Sequence, residues 1–128
     1  MVLLAAGWLA VYLAPDISLL DLGRHFDFVW AFSVLFHMSD EILQQTLGFV
    51  ARHLSSDGVF LANIHVGDRP PGAWQGFPVV WRTLEHYESA CAANGLGVAD
   101  LGPLEALGHH SGIAEQDSQR MLRIVRAA

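Results

Sequence analysis

Two apolar runs, Phe26 to Ser33 (FDFVWAFS) and Val59 to Val66 (VFLANIHV), flank a segment with helical periodicity, and this arrangement constrains the fold more than any other feature. From Ser39 to Leu54 the apolar residues Leu43, Leu47, Val50 and Leu54 recur at three-four spacing, which puts one stripe on a helix. Ser39 suits the N-cap, Asp40 and Glu41 fall in the first turn, and Arg52 and His53 fall in the last, each with the sign the helix dipole favours. A strand, a helix and a second strand of these lengths specify a right-handed crossover between parallel strands. The first run, rich in aromatic and β-branched residues, reads as a buried central strand. The second is nearly uniformly apolar, as expected of a strand covered on both faces.

The remaining punctuation extends the pattern. Trp8 to Leu13 reads as a short strand ended by Pro15, and Ile17 to Leu22 as a loop or single turn. Ser55 to Gly58 reads as a turn, and Gly67 to Pro78, broken by glycines and three prolines, as a loop carrying Trp74 and Phe77. Thr83 caps a second helix with Leu84, Tyr87 and Cys91 on one face, stopped at Asn94-Gly95. Leu96 to Leu101 is a candidate strand, and after a stretch rich in glycine and histidine, Met121 to Val125 is the last. Strands alternating with helices make the class α/β, with a largely parallel sheet.

A chain of 128 residues, 52% hydrophobic and 16% charged, is the size of one domain, so residues 1–128 are read as a single unit. Thirteen acidic residues against seven basic ones argue against a nucleic-acid partner, whose phosphates call for Lys and Arg. The lone Cys91 excludes an intrachain disulfide and fits a reducing cytoplasm. The apolar opening from Met1 to Ala14 lacks the basic region of a signal peptide, since the first positive side chain is Arg24, and it is too short to span a bilayer.

The run FDFVWAFSVLFHMSDEILQQTLGFVARHLSSDGVFLANIHVGD, from Phe26 to Asp68, resembles the strand-four to strand-five segment of class I S-adenosylmethionine-dependent methyltransferases. Their pattern is phenylalanine-aspartate, four apolar residues, a loop ending in histidine, a helix, a glycine turn and an apolar strand. WRTLEHYESACAANGLGVADL, from Trp81 to Leu101, resembles the following helix and sixth strand, and Met121 to Val125 the antiparallel seventh. The resemblance implies part of a Rossmann-like sheet, mostly parallel with an antiparallel C-terminal strand and helices on both faces. It also implies S-adenosylmethionine as cofactor and a small-molecule methyl acceptor. In APDISLLDLG, Asp16 stands where the family's acidic residue accepts from the adenine amine, and Ile17 where the next residue meets the ring. Ser33 and Val34 would lie beside the cofactor, with His37 near the methyl group or the substrate.

The family's first strand ends in a glycine-rich turn, needed because a side chain would block the backbone's approach to the ligand. No GxGxG occurs in residues 1–128, so the resemblance is to a truncated enzyme. In the family's order the first strand neighbours the fourth, and its loss would leave the Phe26 to Ser33 strand with an open edge. The expected consequence is a homodimer, a complementing N-terminal fragment, re-pairing with Trp8 to Leu13, or aggregation.

Ligands of open α/β sheets lie beyond the carboxyl ends of the strands, here Ser33 to His37 and Asn63 to Gly67. An imidazole suits a general base, which makes His37 a candidate; its plainer reading is a hydrogen bond to loop backbone. His65, at the end of the next strand, would face His37 across the cleft. With His109 and His110 the two raise a metal-binding alternative, against which stands the lack of any Cys or carboxylate cluster at ligand spacing. Trp74, Phe77 and Trp81 suit an aromatic lid over a planar acceptor, or simple packing of the loop. The sulfonium carries the driving force, so methyl transfer needs little beyond alignment and, where required, deprotonation. The two functions expected are methyl transfer to a small molecule, or a catalytically inactive remnant or partner subunit that associates through the open edge. A different nucleotide-binding protein would need a phosphate-cradling loop, and the sequence has none.

Overall fold

The computed structural model describes residues 17–128 and, ahead of them, two short strands by their backbone: β1 (Val2–Ala5) and β2 (Trp8–Val11), paired antiparallel. The expected Trp8 to Leu13 strand is β2 at its start; Leu13 and Asp16 lie outside the described residues. The main sheet contains β3 (Phe26–Ala31), β4 (Leu54–Ile64), β7 (Leu96–Pro103) and β8 (Arg120–Arg126), in the order β3-β4-β8-β7. β3 and β4 run parallel, with Phe28 opposite Val59 and Ala31 opposite Ala62, as the crossover rule requires. β8 is antiparallel to both its neighbours, so three strands share one direction and the C-terminal strand opposes them.

Both longer helices form where their caps place them. In α1 (Asp40–His53) the Ser39 Oγ accepts from the Ile42 N–H, and in α2 (Leu84–Ala92) the Thr83 Oγ1 accepts from His86 N–H. Leu43, Leu47 and Val50 of α1 and Tyr87 and Cys91 of α2 are buried in one core with Phe60, Ala62 and Ile64 of β4 and Leu122 and Ile124 of β8. The two helices therefore share one face of the sheet. The alternate residues Phe28, Trp30 and Phe32 point the other way; they are exposed, and their rings stack in file at 6.3 and 5.8 Å.

Three expectations are corrected. The Phe26 to Ser33 run forms an edge strand, with the open edge that the missing first strand implied and not the buried central place its composition suggested: β4 is its partner, and its outer edge meets no other described strand. Aromatic and β-branched composition marks a strand but does not encode its place in the order. Residues 55–58, read as a turn, fall within β4, where the register jumps from Phe26 opposite Leu54 to Phe28 opposite Val59. The extra residues bulge out at Gly58, where a Cβ would lie 2.9 Å from the Phe26 carbonyl oxygen. The segment Gly67 to Pro78 contains a hairpin, β5 (Gly72–Trp74) and β6 (Phe77–Val79). Its prolines concealed this, yet Pro78 sits in a two-stranded ribbon where the missing N–H costs little, and Gln75-Gly76 with φ of 49° and 84° makes the two-residue turn. After β7 come a 3-10 turn at Leu104–Leu107 and the short helix α3 (Ala114–Asp117). No helix among the described residues is long and apolar enough to cross a membrane.

Candidate functional site

Beyond the carboxyl ends of β3 and β4 lies a cavity of about 440 Å³. Its lining comes from Phe32, Ser33, Phe36 and His37 after β3, from His65 and Trp81, from Ala73, Trp74 and Val79 of the hairpin, and from Leu104, His109, Ile113, Glu115 and Gln119 between β7 and β8. Leaving β3, the backbone turns at Ser33 with φ of 58°, a left-handed conformation that costs a non-glycine residue energy. A 2.6 Å hydrogen bond from the Ser33 N–H to Asn63 Oδ1 holds it there. The chain then forms a 3-10 turn, Leu35–His37, whose Leu35 and Phe36 are buried.

Arg82, buried immediately before α2, fastens this turn to the body of the protein. It donates to the Met38 carbonyl at 2.6 Å and the Leu35 carbonyl at 3.4 Å, to the Tyr87 hydroxyl at 3.3 Å, and pairs with Asp40 at 2.8 Å. The hairpin docks on the same turn through Val80 N–H to Phe36 O at 2.7 Å.

The His37 Nδ1 is 2.7 Å from the Pro78 carbonyl oxygen. A carbonyl only accepts, so Nδ1 carries the proton and the neutral ring keeps Nε2 as a lone-pair acceptor. Aromatic rings surround it: Phe36 at 4.6 Å, Phe77 at 6.0 Å and Trp74 at 6.5 Å between centroids.

His65 is wedged between Phe36 at 4.5 Å and Trp81 at 4.3 Å, with its Nε2 3.1 Å from Gln119 Nε2. Burial pushes its pKa below the ordinary 6.5; Glu115 opposes this, and His37 and Arg69 add to it. The folded protein therefore binds fewer protons at this ring than the unfolded chain does. Stability should hold above pH 6.5 and fall as the pH drops through that value toward the folded pKa. Thermal melts between pH 7.5 and 5.0 check this, and the window lies well above the carboxylate range in which Asp21 and Asp117, whose pKa values are lowered mainly by hydrogen bonds, would respond.

Of the residues singled out from sequence, Ser33, His37, His65, Trp74 and Trp81 line this one cavity. Phe77 projects from the hairpin, exposed, and reaches the site only through its ring contact with His37. Val34 is half-exposed beside the cavity mouth and does not line it. Ile17 is buried in the core at the 3-10 turn Ile17–Leu19, packed toward α1 and away from the cavity. Asp16 lies outside the described residues. His109 lines the wall against Phe32 at 5.6 Å; His110 is exposed and does not. Among the described residues no three His, Cys, Asp or Glu side chains group to hold a metal ion. Cys91 is a core residue whose thiol burial pushes up to about 12. Sequence reasoning missed Asn63, Gln119 and Arg82. Asn63 had one signal, a polar residue inside the otherwise apolar VFLANIHV run; the other two had none.

No family model and no curated protein matches the sequence. Solved structures do, and they show that the chain has the class I S-adenosylmethionine-dependent methyltransferase fold. A Burkholderia thailandensis 1,6-didemethyltoxoflavin-N1-methyltransferase superposes with a TM-score of 0.64 at 16% identity, over 88% of this chain and 48% of its own. An S-adenosylmethionine-dependent methyltransferase from Clostridium acetobutylicum gives 0.63 at 13% identity, over 88% and 63%. The mitomycin 7-O-methyltransferase MmcR gives 0.61 at 18% identity, over 88% and 32%. The chain thus spans less than two thirds of each of these structures.

The outer edge of β3 meets no other described strand, Phe32 and Val34 at its end are partly exposed, and no GxGxG turn occurs in the sequence.

Proposed function

We propose that this chain carries the acceptor-binding half of S-adenosylmethionine-dependent methyl transfer to a small, planar, hydroxyl-bearing molecule. The observation that carries the reading is His37: its proton is committed to Pro78, and its Nε2 lone pair stands among the aromatic residues Phe36, Trp74 and Phe77 beside the cavity. In this reading Nε2 takes the acceptor's hydroxyl proton, and Trp74, Phe77 and Trp81 hold the ring system and exclude water. Ser33 and Val34 flank the cofactor, as do Asp16 and Ile17 on the resemblance; the bound cofactor supplies the electrophilic methyl group. His65 lines the same cavity, its ring packed between Phe36 and Trp81. The setting is the reducing cytoplasm.

Calorimetric titration with S-adenosylhomocysteine and a methylation assay on 2-naphthol test this. Turnover should drop by about 10²–10⁴-fold in His37→Gln, with KM little changed. An unchanged rate would remove His37 as the base.

A second reading is favoured by the unpaired outer edge of β3 and the exposed file of Phe28, Trp30 and Phe32. In it the chain works as a subunit, completed along β3 by a second copy or a complementing fragment. Light scattering beside the same titration separates the two: a monomer that binds S-adenosylhomocysteine supports the first, and a larger species without binding supports the second.

A further inference from the structure

Beneath the cavity three side chains and one backbone N–H form a polar chain whose direction is fixed from one end. The Ser33 backbone N–H donates at 2.6 Å, so the Asn63 atom facing it must be the carbonyl oxygen Oδ1. The Asn63 Nδ2 therefore points away and donates to Gln119 Oε1. The Gln119 amide nitrogen then faces the His65 Nε2 at 3.1 Å, and as an amide N–H it only donates. His65 Nε2 must accept, which leaves the proton of the neutral ring on Nδ1. Asn63 and Gln119 are both buried, so water does not compete for these bonds. Protonating Nε2 would set two donors against each other, and low pKa by burial agrees with a ring kept neutral.

Nδ1 has no partner among the described residues, and no buried side-chain nitrogen or oxygen among them lacks one, so Nδ1–H is accessible on the ring that lines the cavity. We infer that His65 presents Nδ1–H as a fixed hydrogen-bond donor, and that the ligand of this cavity is a planar ring system bearing an acceptor atom, a carbonyl oxygen or ring nitrogen, besides the hydroxyl addressed by His37. The inference rests on the reading of His37 above. It makes His65 a specificity-determining residue and Asn63 and Gln119 the positioning residues that set its tautomer. Both histidine rings pack against the same Phe36 ring, at 4.6 Å and 4.5 Å between centroids, and both line the cavity, so one small ligand can address the two.

Three isosteric probes test it with the unmodified chain: 2-naphthol has the hydroxyl alone, quinoline the acceptor alone, and 6- or 7-hydroxyquinoline both. The better hydroxyquinoline isomer should bind about tenfold more tightly than either single-handled probe, one hydrogen bond each way. His65→Phe, which keeps a ring between Phe36 and Trp81, should erase the preference over 2-naphthol, and Gln119→Met should weaken it. Two-bond ¹⁵N–¹H spectra of the free protein should show His65 as the Nδ1–H tautomer, passing to a mixture in Gln119→Met. Hydroxyquinolines that bind no better than 2-naphthol, or a His65 found as the Nε2–H tautomer, would overturn the inference. In that event a 2-naphthol affinity that still depends on His37 leaves the proposed function standing; if no probe binds, both fall.

Discussion

Replacing Arg82 with alanine should destabilise the chain by about 3–5 kcal/mol, the penalty for leaving several buried acceptors without their charged donor. Arg82 is 4% exposed, and its guanidinium is the donor to the Leu35 and Met38 carbonyls and the Tyr87 hydroxyl. Truncation strands those acceptors and opens a void beneath the 3-10 turn. The ion pair with Asp40 contributes least, because that carboxylate is well exposed and water screens it. Against a total stability of about 5–15 kcal/mol for a domain of this kind, the loss is a large fraction. Urea titration should show the midpoint fall with an unchanged slope. Arg82→Lys should recover only part of it, since an ammonium lacks the planar fork that reaches two carbonyls at once. A variant with the wild-type midpoint would mean that the turn after β3 is held by other contacts.

Leu47→Ala should cost about 2–5 kcal/mol, through lost burial and the cavity left behind. Leu47 is 0% exposed at the middle of α1, between α2 and the sheet. Leu47→Met, which keeps the volume, should cost less than about 1.5 kcal/mol. Chemical denaturation of both variants measures the contrast, and equal losses would show that this part of the core is loosely packed.

These two residues mark what the sequence could and could not convey. Leu47 was legible because its role follows from spacing: Leu43, Leu47 and Val50 recur at the helical period, and period implies a buried face. The caps Ser39 and Thr83 and the parallel β3–β4 pair were legible for the same reason, each being a local pattern. Arg82 was not, because its partners Leu35 and Met38 are 47 and 44 positions away and nothing nearby marks it. The site divides likewise. Ser33, His37 and His65 followed from lying at the ends of apolar runs, and Trp74 and Trp81 from being large rings in the next loop. The pairing of Asn63 with Gln119 spans 56 positions and exists only once β4 and β8 are side by side. The open edge of β3 followed from the resemblance, although its composition pointed to a central strand, and the hairpin inside a proline-rich segment was hidden because it depends on which strand pairs with which.

The hairpin has a mechanical consequence. Its Trp74 and Val79 line the cavity, while the carbonyl of Pro78, in the middle of β6, aligns the His37 ring. One short strand thus both borders the cavity and orients an imidazole, so a substitution that shifts β6 should alter the shape of the space and the direction of the ring together.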